Sequence, residues 1–344
     1  MYIQQVLLSI FSSMNGQRSS KAALHLLRGK RSGQTIQDVG TFHLHKYFGI
    51  LPKLSKNTFT DELNQLIDAG WVHINDGQQA IITARGKTLL QQSKELLFNG
   101  WYYRGNEHIF FKRLSLVVQT LSHFHAGDYR FMPLQKDEEI QHFVKQFLMG
   151  KPYKETNFKN QFRDELEESI QQLPIDDKHK LTIVLRITGY RLSGWTWQQL
   201  AEEFDATELD MQLILIESLH IWLDDLYAKR NQYPFLHQLA AGIRLENVLN
   251  DSTKKTADLY YNGYTPDQIA QVRSLKISTI EDHFVEMAMN DIDFPLNQFI
   301  SEEDANKARD VMRQTGSKKL KVIRESIPHL SYFQIRLVMA TKGG

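Results

Sequence analysis

The run N-T-F-T-D-E-L-N-Q-L-I-D-A-G-W-V-H-I-N-D-G-Q-Q-A-I-I-T, residues 57–83, changes character halfway. Asn57–Ala69 reads as a helix that stops at Gly70. Trp71–Ile74 and Ala80–Ile82 are short apolar runs on either side of Asn75–Asp76–Gly77. Asp-Gly between such runs favours a tight hairpin, because glycine accepts a positive φ.

Upstream, Val6, Leu7, Ile10, Phe11 and Met14 share one helical stripe, which reads as a core helix. It lacks the basic start and small-residue cleavage site of a signal peptide. Helices, a further helix, then a short hairpin is winged-helix order. Net charge is +1, but it is unevenly spread. Residues 1–60 hold eight basic side chains, Arg18, Lys21, Arg28, Lys30, Arg31, Lys46, Lys53 and Lys56, against Asp38 alone. Residues 131–250 hold 13 basic and 19 acidic groups, and residues 251–344 balance at 13 each. A basic front on a near-neutral chain points to a polyanion-facing surface.

Downstream, helix-start signatures recur: Thr196 with Gln199, Thr207 with Asp210, Thr265 with Gln268, Ser278 with Glu281, Ser301 with Asp304 and Ser331 with Gln334. Each pairs a capping oxygen with an acid or amide three residues on. Pro266 at a first helical position strengthens one of them. The expected protein is mainly α in three parts, since 344 residues exceed one small core. These are a winged helix with a short hairpin wing at 1–98, a helical middle domain at 99–250 with a helix-turn-helix-like unit near 181–225, and a helix-turn-helix domain at 251–344. Junctions are expected around Gly100–Asn106 and Asn250–Thr253.

The residues offer no catalytic centre. There is no cysteine, so disulfides, thiolate metal sites and cysteine nucleophiles are excluded. Arg85–Gly86–Lys87–Thr88 looks like the end of a phosphate loop, yet position 81 is Ile where that loop needs Gly. His43/His45 and His123/His125 are spaced two apart, so on a helix each pair diverges. The acidic runs Asp137–Glu139 and Asp164–Glu168 read as solvated faces. No cofactor or metal is expected, and no run of apolar residues is long enough to span a membrane.

Candidate DNA contacts cluster at the start of the helix before the hairpin. Lys53, Ser55, Lys56 and Thr58 surround its N-terminus, where unpaired N–H groups and the helix dipole suit a phosphate. Ser55 serves equally well as a purely structural cap. Arg28, Lys30 and Arg31 follow an earlier helix and flank the site. In the last part, Thr265–Ala270, a turn at Gln271–Lys276 and Ser278–Ala288 outline a helix-turn-helix. The exposed side of its second helix is expected to carry Glu281, Asp282, His283 and Glu286, which would repel phosphates and suit a protein partner. Lys254, Lys255, Arg273 and Lys276 are an alternative DNA set there. Lys318, Lys319 and Lys321, with Arg324 on the same expected helix, form a further basic cluster.

The front resembles the RecQ C-terminal winged-helix domain. The matching residues are Ala23–Gly29, ending Leu-Arg-Gly, then Tyr47–Phe48–Gly49, Leu63, Leu66, Ile67 and Gly70, and finally Ile81–Ile82–Thr83 with Gly86. The end, about Thr256 to Ala340, resembles the helix-turn-helix domain at the C-termini of RecQ-type helicases. That resemblance rests on Leu259–Tyr260, Thr265–Pro266, Ile269–Ala270, Arg273, Ser278–His283 and Ser331–Tyr332 with Ile335–Leu337. The whole chain resembles the bacterial YpbB family, encoded beside a short RecQ-type helicase that has a motor and lacks these appendages. The resemblance implies a non-catalytic, cytoplasmic, nucleoid-associated DNA-binding subunit that docks a RecQ-type motor in DNA repair and recombination. One departure is the wing, Asn75–Gln79, which lacks an aromatic tip to act as a strand-separating pin. The alternative function is a helix-turn-helix transcription regulator.

Overall fold

The computed structural model describes residues 1–245, 249, 251–291 and 293–341. It is mainly helical with one two-stranded sheet. The amino-terminal elements are α1 (Tyr2–Met14), α2 (Ser20–Leu27), α3 (Gly33–Thr41), α4 (Lys56–Asp68), β1 (Val72–Ile74), β2 (Ala80–Ile82) and α5 (Ala84–Gln92). The middle holds α6 (Gly100–Tyr103), α7 (Glu107–His125), α8 (Glu138–Leu148), α9 (Thr156–Gln171), α10 (Asp177–Arg186), α11 (Trp197–Glu203), α12 (Glu208–Ala228) and α13 (Pro234–Leu239). The rest is α14 (Asp251–Tyr261), α15 (Pro266–Val272), α16 (Ile277–Asn290), α17 (Glu302–Thr315), α18 (Leu320–Ser326) and α19 (Tyr332–Ala340). Among the described residues no helix is long and apolar enough to cross a membrane. Asn250, expected at a junction, lies outside the described residues.

The chain divides into two compact units. The first comprises Met1–Leu7, Gly49–Lys53 and Gln92–Leu245, and the second comprises Leu8–Phe48, Leu54–Gln91 and Glu246–Gly344. The division falls inside α1 and places most of the winged helix and the last six helices together.

In the first unit, α7 and α12 form the spine. Phe110 of α7 meets Trp222 of α12 edge to face at 5.3 Å. Leu114, Val117, Leu223, Leu226, Leu236 and Leu239 fill in around them. A smaller cluster of Leu200, Met211 and Ile214 joins α11 to the start of α12. Thr196 and Gln199 form a capping box on α11, and Thr207 caps Asp210 of α12. Asp210 is buried, not a solvated acid. Its carboxylate takes the Met1 ammonium at 2.5 Å and the Ile3 N–H at 2.8 Å, so it satisfies the first turn of α1.

Five of the six expected helix starts are built as caps. The exception is Ser278: α16 begins one residue earlier at Ile277, with Lys276 in the capping position and no side-chain cap. The hairpin pairs Val72 with Ile82 and Ile74 with Ala80. Its loop is not turned by Gly77. Asn75 Oδ1 accepts the N–H groups of Gly77 and Gln79, and Gln78 takes the positive φ of 58°. The side chain of Asn75 thus does the work that the Asp-Gly pair was expected to do.

Two carboxyls in the first unit are held where ionisation is costly. Glu165 of α9 accepts the Leu236 N–H at 2.8 Å and is pushed up to about 7 by burial. Glu217 of α12 accepts the Leu97 N–H and is likewise pushed up to about 7 by burial. The folded protein therefore keeps these protons where the unfolded chain, near 4.5, has lost them. Stability of this unit falls as pH rises from about 4.5 through 7, measured by denaturant melts. Glu165→Gln with Glu217→Gln should flatten that slope, and an unaltered slope would refute the assignment.

Candidate nucleic-acid interface

The winged-helix module is assembled around glycines that the backbone requires. Arg28 is the C-cap of α2, and Gly29 follows it with φ 68°. The Gly29 N–H reaches Leu26 O at 2.9 Å and the Lys30 N–H reaches His25 O at 2.9 Å, a Schellman cap. The Leu-Arg-Gly string is thus a helix stop that turns Arg28, Lys30 and Arg31 out of α2. Thr83 and Gly86 work similarly. Thr83 Oγ1 donates to Gly70 O at 2.8 Å and accepts the Gly86 N–H at 3.1 Å. A Cβ at Gly86 would sit 2.4 Å from the Trp71 carbonyl oxygen. Gly86 exists so that α5 can touch the end of β1, not to wrap a phosphate.

α4 presents a polar face beside this frame. Phe59, Glu62, Leu63 and Leu66 are buried, while Lys56, Asn57, Thr60, Asp61, Asn64, Gln65 and Asp68 are exposed. Ser55 Oγ accepts the Thr58 N–H at 3.0 Å and lies 2.8 Å from Thr58 Oγ1. Both hydroxyls therefore serve the cap, and the positive pole of the helix faces solvent beside Lys56. Arg28 Nε donates to Leu54 O at 2.7 Å, which holds the segment entering α4. Lys30 is exposed. Lys53 is exposed as well and closes the segment Gly49–Lys53 of the first unit.

The basic front survives folding. Asp38, its one acid, is buried and paired with Arg18 at 2.6 Å, so no carboxylate of residues 1–60 reaches the surface. Asn57, Thr60, Asn64 and Gln65 were not singled out from sequence. They are the polar complement of the Phe59–Leu63–Leu66 stripe, and their amides and hydroxyl suit hydrogen bonds to base edges.

Arg31 has a different position. Its Nη2 lies 3.2 Å from Glu286 Oε1, with the arginine 38% and the glutamate 4% exposed. Glu286 Oε2 also accepts the Thr253 hydroxyl at 2.8 Å. Glu286 and His283 are therefore buried, contrary to the expectation of an exposed acidic side on α16. The physical reason is that α14, α19 and α3 all pack on α16, so it has little solvent face. His283 Nδ1 meets Thr256 Oγ1 at 2.8 Å, and burial lowers its pKa. The stretch Ser278–His283 thus ends in an internal tie between α14 and α16. Asp282 is half-buried and pairs with Arg336, and Glu281 is half-buried beside them.

The remaining basic candidates separate. Arg273 donates to Ser252 O at 2.6 Å, whereas Lys254, Lys255 and Lys276 are exposed. Lys318 donates to Thr41 O, and its backbone N–H reaches Gln17 Oε1 at 2.6 Å, so it is a structural anchor. Lys318 and Lys319 precede α18 instead of lying on it, so the expected single-helix cluster is reduced to Lys321 and Arg324. Lys319 and Lys321 are exposed, and Lys321 makes a long pair of 3.9 Å with Glu325.

Residues 252–339 match the family model of a helix-turn-helix domain. Across its length the chain is 31% identical over 345 residues to Protein YpbB of Bacillus subtilis (strain 168), with 98% of this chain and 97% of that one covered. No solved structure matches.

Gly86→Ala should destabilise the second unit by about 1–3 kcal/mol, read as a lowered midpoint in thermal or denaturant melts. For binding, Lys30→Glu with Lys56→Glu should weaken duplex affinity and flatten log Kd against log salt by about two units of slope. Arg31→Ala should instead cost stability, because it removes the cation that faces the buried Glu286 carboxylate. A salt titration identical to wild type for the lysine pair would remove this face from the interface.

Proposed function

This chain belongs to the YpbB family, and we propose that it is a non-catalytic DNA-binding accessory subunit of a RecQ-type DNA helicase. In this reading it acts in DNA repair and recombination, in the cytoplasm at the nucleoid. The single observation that carries the proposal is the face of α4. A capped helix N-terminus with Lys56 opens an exposed amide-rich surface that also carries Asp61 and Asp68, Lys30 is exposed at the end of α2, and Asp38 of the front is buried. Cations of this kind position phosphates, and amides read base edges.

The mechanism follows from what each part can touch. Arg28, Lys30, Ser55, Lys56 and Thr58 of the second unit contact a duplex backbone in this reading, with Lys319 and Lys321 as further phosphate contacts of that unit and Lys53 as a separate candidate on the first unit. The backbone N–H groups of the first turn of α4 and the cations hold DNA by charge, so affinity depends steeply on salt. Arg31 and Lys318 support this face from within through Glu286 and Thr41. Glu281 and Asp282 remain candidates for docking the motor at the half-exposed edge of α16, while Glu286 contributes through Arg31. ATP hydrolysis belongs to the motor subunit, and this chain holds the fork beside it.

The support for the helicase setting is the resemblance of both ends to helicase appendages. The burial of α16 along most of its length also disfavours a regulator that lays that helix in a major groove. The test is co-purification with a RecQ-type motor, then fork unwinding by the motor with and without this chain. The expected result is a stable complex and faster unwinding, lost with Lys30→Glu/Lys56→Glu. No complex and no change in unwinding would refute the accessory role.

A further inference from the structure

We propose that the C-terminal end of α7, in the first unit, is a stacking platform for unpaired bases of single-stranded nucleic acid. This goes beyond the duplex face on α4 and rests on other residues. The chain after α7 runs back along that helix: the Leu134 N–H reaches Gln119 Oε1 at 3.1 Å, and Asp137 lies 3.6 Å from Lys112. α8 then returns in the direction of α7 and delivers Tyr153 to the same end.

Three separate segments bring rings together there. Tyr153 stacks on Phe124 at 5.5 Å, and Tyr129 lies 5.2 Å from the same ring. Phe131 stacks on His123 at 4.5 Å. Tyr190 meets His123 edge to face at 5.2 Å, and its N–H is held by Ser122 Oγ at 2.9 Å. The rings therefore form one continuous aromatic surface. Only part of it is buried: Tyr129 is 65% exposed, and Met132 beside it is 83% exposed.

Cations are interleaved with the rings. The Arg191 guanidinium lies 5.1 Å from the Tyr190 ring, and Lys154 lies 5.9 Å from the Tyr153 ring. Arg130 is exposed next to Tyr129. Asp128, the acid nearest them in sequence, is held by His123 at 2.9 Å. Through Ser122 and Tyr190 the surface continues into a groove of about 680 Å³, also lined by His125, Lys159, Asn160 and Leu192. One exposed ring, Tyr129, backed by half-exposed rings and set among cations that pair with phosphates, meets the physical requirements of sequence-tolerant single-strand binding.

The test is fluorescence anisotropy of labelled oligothymidylate and oligouridylate of about 16 nucleotides with the full chain at low salt. A duplex probe serves as control. Tyr129→Ala should weaken single-strand binding by about 5- to 100-fold and leave duplex binding unchanged, while Tyr129→Trp should retain it. Circular dichroism should confirm that both variants fold, as the exposure of Tyr129 implies. The deoxy and ribo probes identify which strand is preferred. Loss of duplex binding in Lys30→Glu/Lys56→Glu, with single-strand binding intact, would separate the two sites. The proposal is overturned if wild type ignores both single strands while holding duplex, a result that leaves the α4 face standing. It is also overturned if Tyr129→Ala binds them as wild type does, or if the surface captures a protein partner and no oligonucleotide.

Discussion

The close seating of α3 on α16 is the constraint on which the second unit depends. A Cβ at Gly33 would come within 2.8 Å of Asp282 Oδ2, and one at Gly40 within 3.0 Å of Met289. Both pairs are seven residues apart on their helices, so the contacts repeat after two turns and the two helices run in the same direction. Side chains at 33 and 40 would have to displace the Asp282 carboxylate and the Met289 side chain that lie against these glycines. The Arg31–Glu286 ion pair matters because Glu286 is buried, and removing the cation from a buried carboxylate costs more than the pair itself stabilises. Lys318 adds a second tie through Thr41, so the amino-terminal module and the last helices share one packed body.

This packing assigns roles that composition cannot separate. Arg28, Lys30, Arg31 and Lys318 are alike as cations in a charge tally. In the folded protein Arg31 and Lys318 hold elements together, Arg28 braces the entry to α4, and Lys30 is exposed to solvent. The same sorting applies to the acids. Asp38 and Glu286 are interior partners of arginines, so neither opposes an approaching polyanion. The second helix of the helix-turn-helix is covered by its own chain, whereas the first turn of α4 faces solvent.

Much of this protein was legible in its order of residues. The mainly helical class, the hairpin after α4, the core stripe of α1 and five of six capped helix starts follow from local rules. Period, caps and turn residues act within a few positions, so one chain segment carries the whole signal. The Ser55 cap and the basic front belong to that class too. The departures are also instructive at this scale. Gln78, not Gly77, turned the hairpin, because Asn75 supplied the loop with side-chain hydrogen bonds that a dipeptide rule ignores.

What local pattern cannot carry is which face of a helix meets another part of the chain. α16 shows a polar string, Glu281, Asp282, His283 and Glu286, that reads as solvated when the helix is considered alone. The burial of His283 and Glu286 comes from α3, some 240 residues earlier in the chain, and from α14 and α19. The aromatic end of α7 is similar, since Phe124, Tyr153 and Tyr190 are distant in sequence and meet only after α8 returns. The chain's own order thus determined its elements, its caps and the sign of its front. Tertiary packing alone decided which charges face solvent, because burial depends on neighbours that sequence distance does not reveal.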